Sequence, residues 1–255
     1  MRSEAGSVAT NHVLKPDPWL SGVVGCPAWR VESASGGGEA WTKLRTGDPV
    51  FAYAKLKAGD IAEVSQLADA GFRVVDTALT FDRPVSGPQV SPRGSGIRFS
   101  RPEDREAVAR IAGRSFRFSR FHLDPFFPKH LADGIKSSWA GNYFEGKRGD
   151  GMVVAERDGV VVGFLQLLWT EPDCLVVDLI GLDSAWQGHG IGRDMISYAA
   201  LHGTGDGRVP AAMKVGTQAA NTPSVRLYES LGFRLTSAQY VMHFHGLPRY
   251  TNENR

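Results

Sequence analysis

The residues whose spacing suggests chemistry are Gln187-Gly188-His189-Gly190-Ile191-Gly192, set between the apolar run Leu175 to Leu182 and a helical pattern that opens near Gly190. Glycines at a strand-to-helix turn let the backbone come close to a ligand, and the unpaired N–H groups of a helix start suit phosphate oxygens. A guest carrying a pyrophosphate fits this chemistry. The pattern G-x-x-x-x-G-K-[ST] is absent, and Gly188, Gly190 and Gly192 do not form G-x-G-x-x-G, so neither a triphosphate loop nor a dinucleotide turn is expected. A glycine turn that serves only packing is the alternative. A second cluster, Asn221 to Phe233 (NTPSVRLYESLGF), follows the next strand-like run, Ala211 to Thr217.

The elements around these clusters alternate in type. A helix is expected from Pro102 to about Phe116, with Glu103 and Asp104 in its first turn where acidic groups suit the helix dipole, and a second from Pro128 to about Phe144. Met152 to Glu156 and Val160 to Thr170 read as strands joined by Arg157-Asp158-Gly159, whose Asp-Gly favours a tight hairpin. A helix over Thr222 to Leu231 and strands over Arg234 to His245 complete a mixed α/β sheet. Upstream, Val50 to Leu56 reads as a strand, Asp60 caps a helix running to Ala70, and Gly71 ends it before a strand over Phe72 to Phe81. Ser33 to Glu39 reads as a flexible loop. The helix, glycine and strand around Gly71 repeat around Gly232, as many helix-to-strand connections do.

Arg83 to Gly96 holds three Pro, three Gly and three Ser, a composition that buries no core and reads as a linker. The division is therefore an N-terminal α/β domain over 1–82, a linker over 83–96, a catalytic domain over 97–247 and a tail over 248–255.

The two clusters together, Q-x-x-G-x-G after one strand and N-x-x-S-x-x-L-Y-E-x-L-G-F after the next, resemble the GNAT superfamily of coenzyme-A-dependent N-acetyltransferases. The resemblance covers about Ile97 to Leu247. It implies a mixed, mostly antiparallel GNAT sheet flanked by helices, beside the smaller N-terminal α/β domain, and acetyl-CoA as cosubstrate. Gln187, Gly188, His189, Gly190, Ile191 and Gly192, with Arg193, would wrap the coenzyme A pyrophosphate. Ile180 and Leu182 would bond the pantetheine arm through their backbone, and Asn221 would bond the same arm. Tyr228 would be the general acid: a phenol of reference pKa ~10 stays protonated at neutral pH and can donate to a departing thiolate of reference pKa ~8.5. Asp178 is the candidate general base, since period-two alternation puts it on one face with Ile180 and Leu182, while a structural pair with an arginine is the other reading. The attack passes through a tetrahedral intermediate whose oxyanion a strand N–H near Leu182 can serve.

In that superfamily acceptor choice comes largely from the first two helices and what precedes them, so the resemblance points to Phe116 to Pro125, with three Phe, two Arg, one His and one Asp. Arg117, Arg120, Phe121 and His122 are the substrate-binding candidates, since aromatics stack on rings and arginines hold phosphate, while a helix end with arginines lying over core Phe is the other reading. Ser119-Arg120-Phe121-His122, with the strand Val74 to Phe81 and the N-terminal unit, also resembles the dTDP-fucosamine acetyltransferases, which implies a nucleotide-linked amino sugar as acceptor. A specialised-metabolite amine, a protein amine, or coenzyme A binding without turnover are the alternatives. His243 and His245 share a strand face, but no further Cys, His or acidic cluster stands close in sequence, so no metal is expected.

Composition agrees with a small partner. The 255 residues carry 29 Lys+Arg against 27 Asp+Glu, which argues against nucleic acid or a charged membrane surface. An apolar fraction of 42% beside 22% charged residues supports a packed core. The two cysteines, Cys26 and Cys174, in no CxxC spacing, suggest a reducing compartment, and the cytoplasm is the expectation. No apolar run approaches the ~18–20 residues of a membrane span. A monomer or homodimer is expected.

Overall fold

The computed structural model describes residues 13–246, apart from 36, 46, 87–90, 94–95 and 172. The chain divides into two compact units: one of Met1–Ala78, Leu123–Pro128 and Ala238–Arg255, the other of Leu79–His122 and Lys129–Ser237.

The second unit holds both sequence clusters. Its strands β5 (Ile97–Phe99), β6 (Gly151–Arg157), β7 (Val160–Glu171), β8 (Cys174–Leu182) and β9 (Ala212–Gln218) are neighbours in that order. The pairs from β5 to β8 are antiparallel, and β8 pairs β9 in parallel. The β6–β7 hairpin turns at Asp158 (φ 51°) and Gly159 (φ 75°), the two left-handed residues that a two-residue turn between twisted strands needs. Helices α4 (Arg105–Ser115) and α6 (Lys129–Phe144) pack on one face through Val108, Ile111 and Ala140 against Met152, Phe164 and Leu179. On the other face α7 (Ile191–His202) and α8 (Thr222–Ser230) set Ile191, Met195, Ile196 and Tyr228 against Val153, Leu165, Leu175, Val177 and Val215. The first expected helix begins as a 3₁₀ turn, Pro102–Asp104, before α4. Asp104 caps this start by accepting from the Arg101 N–H at 2.7 Å, and Arg98 binds both of its oxygens at 2.7 and 3.0 Å.

In the first unit, β1 (Leu14–Pro16) pairs antiparallel with β2 (Ala28–Val31), β2 pairs in parallel with β3 (Phe51–Lys57), and β3 pairs antiparallel with β10 (Arg234–His245) from Gln239↔Lys57 to His245↔Phe51. Short helices α1 (Pro18–Val24) and α2 (Gly38–Leu44) and the longer α3 (Ile61–Asp69) join them. Asp17 caps α1 by accepting from the Leu20 N–H at 2.9 Å with Pro18 behind it. Leu67, Phe72, Ala52, Ala54, Met242 and Phe244 form this unit's core.

Two boundaries differ from composition. β4 (Arg73–Pro84) runs on to Pro84, and the units divide inside it, between Ala78 and Leu79, whereas the Pro/Gly/Ser count places a linker from residue 83. Strand pairing outweighs composition there, since the Val85 N–H still bonds the Ala211 carbonyl at 2.7 Å. Within Ser33 to Glu39, α2 already begins at Gly38. Positions 87–90 and 94–95 of the expected linker, and the tail 248–255, lie outside the described residues.

Candidate active site

The glycine turn has the form its residues suggest. Gly188 and Gly190 both sit at φ 81°, where a side chain is strained, and a Cβ on either would meet nothing within 4 Å, so both face open space. Gly190 is the N-cap of α7, and the first backbone bond of that helix runs from the Asp194 N–H to the Gly190 carbonyl at 3.1 Å. The N–H groups of Ile191, Gly192 and Arg193 are the donors that a helix start leaves without intrahelical acceptors. Gly192 differs in kind: a Cβ there would lie 3.3 Å from Leu227 and 3.7 Å from Ile180 and Leu182, so its missing side chain lets α7 lie close to β8 and α8. Gln187 caps the end of β8, donating from Nε2 to the Leu182 carbonyl at 3.3 Å. His189 is exposed and turns its Nδ1 to the Gln187 carbonyl at 2.9 Å. Arg193 donates to the Ser230 hydroxyl at 2.8 Å, tying the start of α7 to the end of α8. Open left-handed glycines, free first-turn donors and an adjacent guanidinium fit a pyrophosphate.

Next to this turn the sheet opens. The β8–β9 ladder pairs Cys174↔Ala212 through Val177↔Val215 and ends there, although β8 continues to Leu182. At the same level the β7–β8 register slips: Leu167 opposes Val177 and Gln166 opposes Leu179, which leaves Asp178 as the extra residue of a β-bulge. The bulge corrects one expectation. Ile180 and Leu182 pack with the core under α7 and α8, but Asp178 reaches Trp139 on α6, on the opposite face. One unpaired residue breaks period-two alternation, so spacing alone puts Asp178 on the wrong side.

Asp178 is also fully engaged. Arg148 grips it with Nε at 2.7 Å and Nη2 at 2.6 Å, the Trp139 indole N–H donates at 3.0 Å, and the Gln166 amide at 3.3 Å. Arg148 also lies over the Trp139 ring, 5.1 Å from its centroid, and the Asp178 hydrogen bonds push its guanidinium pKa further up against the opposing effect of burial. Arg148, Trp139 and Gln166 were not visible in the sequence as site residues, because each stands on a different element and no motif joins them.

Tyr228 is 2% exposed, with Phe81 and Phe233 rings 6.2 and 5.9 Å away. Burial pushes its phenol well above the usual range against a smaller opposing hydrogen bond with Ser224. The group is therefore neutral, with a proton to give, across the physiological range. Asn221 caps α8, its Oδ1 accepting from the Ser224 N–H at 3.4 Å, which leaves the amide N–H₂ end to donate elsewhere.

The acceptor candidates are scattered. Arg117 is exposed, Phe121 is 1% exposed in the interior, and Arg120 lies over the Phe121 ring at 4.5 Å. His122 is turned inward, Nδ1 against the Ser119 hydroxyl at 2.6 Å and Nε2 against Asp133 at 3.0 Å. Burial lowers its pKa more than Asp133 raises it. The short helix α5 (Arg120–Leu123) causes this: four residues make one turn, and an apolar side chain on one side forces its neighbours to other directions. Phe121 and His122 thus serve the fold in this conformation.

The glycine turn at the start of α7 thus follows β8, whose ladder with the parallel β9 ends at Val177↔Val215, and the next helix carries a buried phenol. The family of acetyltransferases described as Acetyltransferase (GNAT) matches residues 107–233, and the chain belongs to it through this domain. The chain is 28% identical to the spore coat polysaccharide biosynthesis protein SpsD of Bacillus subtilis (strain 168), over 80% of this chain and 70% of that one. It is 34% identical to a mycothiol acetyltransferase of Thermomonospora curvata, over 69% of this chain but only 58% of that relative's length. A solved GCN5-related N-acetyltransferase from Sphaerobacter thermophilus shares the fold, with a TM-score of 0.56 at 15% identity over 86% of this chain and 72% of that one.

Proposed function

We propose that the protein transfers the acetyl group of acetyl-CoA to the primary amine of a small molecule, a nucleotide-linked amino sugar being the first candidate. The observation that carries this reading is the parting of β8 and β9 after Val177↔Val215, directly beside the turn Gln187 to Gly192. The name of SpsD, which places that relative in polysaccharide biosynthesis, favours a sugar acceptor over a protein amine.

In this reading the N–H groups of Gly188 to Arg193 hold the pyrophosphate, so no basic surface is required and a near-neutral chain suffices. The Asn221 amide donates to the pantetheine arm. The β8 backbone past Val177, freed from β9, aligns the arm and offers an N–H to the oxyanion. As the amine nitrogen bonds the acetyl carbon and the carbon–sulfur bond breaks, Tyr228 gives its proton to the leaving sulfur. The nitrogen's proton goes to water, and Tyr228 regains a proton from solvent. Asp178, with its oxygens occupied by Arg148, Trp139 and Gln166, is a positioning residue that fixes Trp139 and Arg148 on the acceptor face. The test is release of free coenzyme A thiol from acetyl-CoA with a panel of amines that includes nucleotide-linked amino sugars and peptides. Thiol release at the amine-free rate with every amine would overturn the reading.

A further inference from the structure

The strand-face pair His243 and His245 acquires a third donor in the folded chain. All three residues belong to the first unit, Asp124 coming from its Leu123–Pro128 segment, 119 positions from His243 in sequence. The His243 Nδ1 and the His245 Nε2 point at the same carboxylate oxygen, Oδ2 of Asp124, at 2.6 and 2.7 Å. The other oxygen, Oδ1, accepts from the Phe126 N–H at 2.9 Å, which fixes the plane of the carboxylate. One donor atom from each residue lies within 4.8 Å of the other two.

We propose that Asp124, His243 and His245 bind a divalent transition-metal ion, zinc first, with open coordination positions for a small anion. Two imidazoles and one carboxylate suit zinc, cobalt(II) and iron(II) over magnesium or calcium, which take oxygen donors. Metal–ligand bonds of ~2.0–2.2 Å put neighbouring donors in a tetrahedral site ~3.3–3.5 Å apart, so seating the ion needs each imidazole nitrogen to withdraw from the Asp124 oxygen by about 0.6–0.9 Å. The surroundings are built to hold the rings. Phe51 meets the His243 ring edge-on at 4.8 Å and the His245 ring at 5.2 Å, and Phe127 lies 5.3 Å from the His245 ring. Such apolar walls keep water from competing for the ion.

The site also has an opening. A cavity of about 320 Å³ is lined by Gly71, Arg73, Asp124, Phe126, His243 and His245 among others. His245 is the least buried of the three donors, at 11% side-chain exposure against 0% for His243 and 1% for Asp124. Three protein ligands leave a zinc ion with an open position, and Arg73 on the cavity wall suits a carboxylate or phosphate oxygen there.

The test uses the full chain, stripped with a chelator, then titrated with Zn²⁺ alone by calorimetry and with Co²⁺ alone by visible absorption. The proposal expects saturable binding of one ion per chain and strong cobalt bands of a low-coordinate site that zinc abolishes. In His245→Gln, checked for folding by circular dichroism, zinc should bind at least roughly 100-fold more weakly. If that variant does not fold, the cobalt spectrum of the unaltered chain decides: only the weak bands of the hydrated ion would overturn the site, as would zinc binding unchanged in a folded His245→Gln. Acetyl transfer is not read, so this outcome is independent of the proposed activity.

Discussion

Asp178 and Asp124 are both nearly inaccessible carboxylates that collect several hydrogen bonds, yet their partners give them different prospects. Asp178 is held by a guanidinium, an indole and an amide, none of which gives up its proton or binds a metal under ordinary conditions. Asp124 is held by two imidazoles, which can exchange a proton for an ion. Burial pushes the Asp124 carboxyl up, but the hydrogen bonds of His243, His245 and the Phe126 N–H outweigh it and hold the group well below the usual carboxylate range. One centre is closed by the chemistry of its donors and the other is open, which counting carboxylates in a sequence cannot distinguish.

The sharpest way to break this comparison is Asp178→Ala. Removing a carboxylate from under Arg148 and Trp139 should cost about 3 kcal/mol of stability, measured by urea unfolding. If Asp178 were the catalytic base, Asp178→Asn would instead abolish the rising limb of the pH profile of kcat with stability nearly intact. Asp104, likewise bound by Arg98 but at a helix start, serves as a reference and should lose about 2 kcal/mol at pH 7 as Asp104→Asn. Its pKa is depressed chiefly by the Arg98 hydrogen bonds, with burial opposing, so its contribution is full above the unfolded pKa of ~3.9 and disappears as pH falls through the lower folded value. Unfolding curves of Asp104→Asn and the unaltered chain should therefore draw together as pH falls below ~3.9. Tyr228→Phe should lower kcat at least roughly tenfold with coenzyme A affinity little changed, and unchanged turnover would remove Tyr228 from the mechanism. The smallest effect belongs to Gly190→Ala, which forces a side chain to φ 81° and should cost about 1 kcal/mol while weakening coenzyme A binding; a variant as stable and as tight-binding as the parent would remove the turn from the cofactor site.

Much of the second unit was legible because its signals are local. Asp158-Gly159 specifies a hairpin turn by itself, Pro102 with two acidic residues opens a helix, and Gly188 to Gly192 mark a helix start whatever surrounds them. Legibility failed where a signal was short or distant. β1, α1, β2 and α2 run only three to seven residues each, too short for a period to emerge, although Asp17-Pro18 carries a cap signature that could have revealed α1. Asp178 was put on the wrong face because a bulge leaves no mark in residue types. Asp124 could not be joined to His243 and His245, since only the folded chain brings them together. The inward turn of Phe121 and His122 depends on a four-residue helix whose direction no pattern encodes.

The bulge at Asp178 makes β8 sensitive to length in a way it is not to identity. Exchanging one apolar residue for another at Leu175 or Leu179 would repack a core, a graded change. Deleting Ile180, just past the bulge, would instead shift Gly181 and Leu182 by one position, so the two would exchange faces and their ladder with Phe164 and Gly163 on β7 would be rewritten. For this strand the number of residues carries information that an alphabet of side chains does not, and a gap is a harsher error than any misspelling.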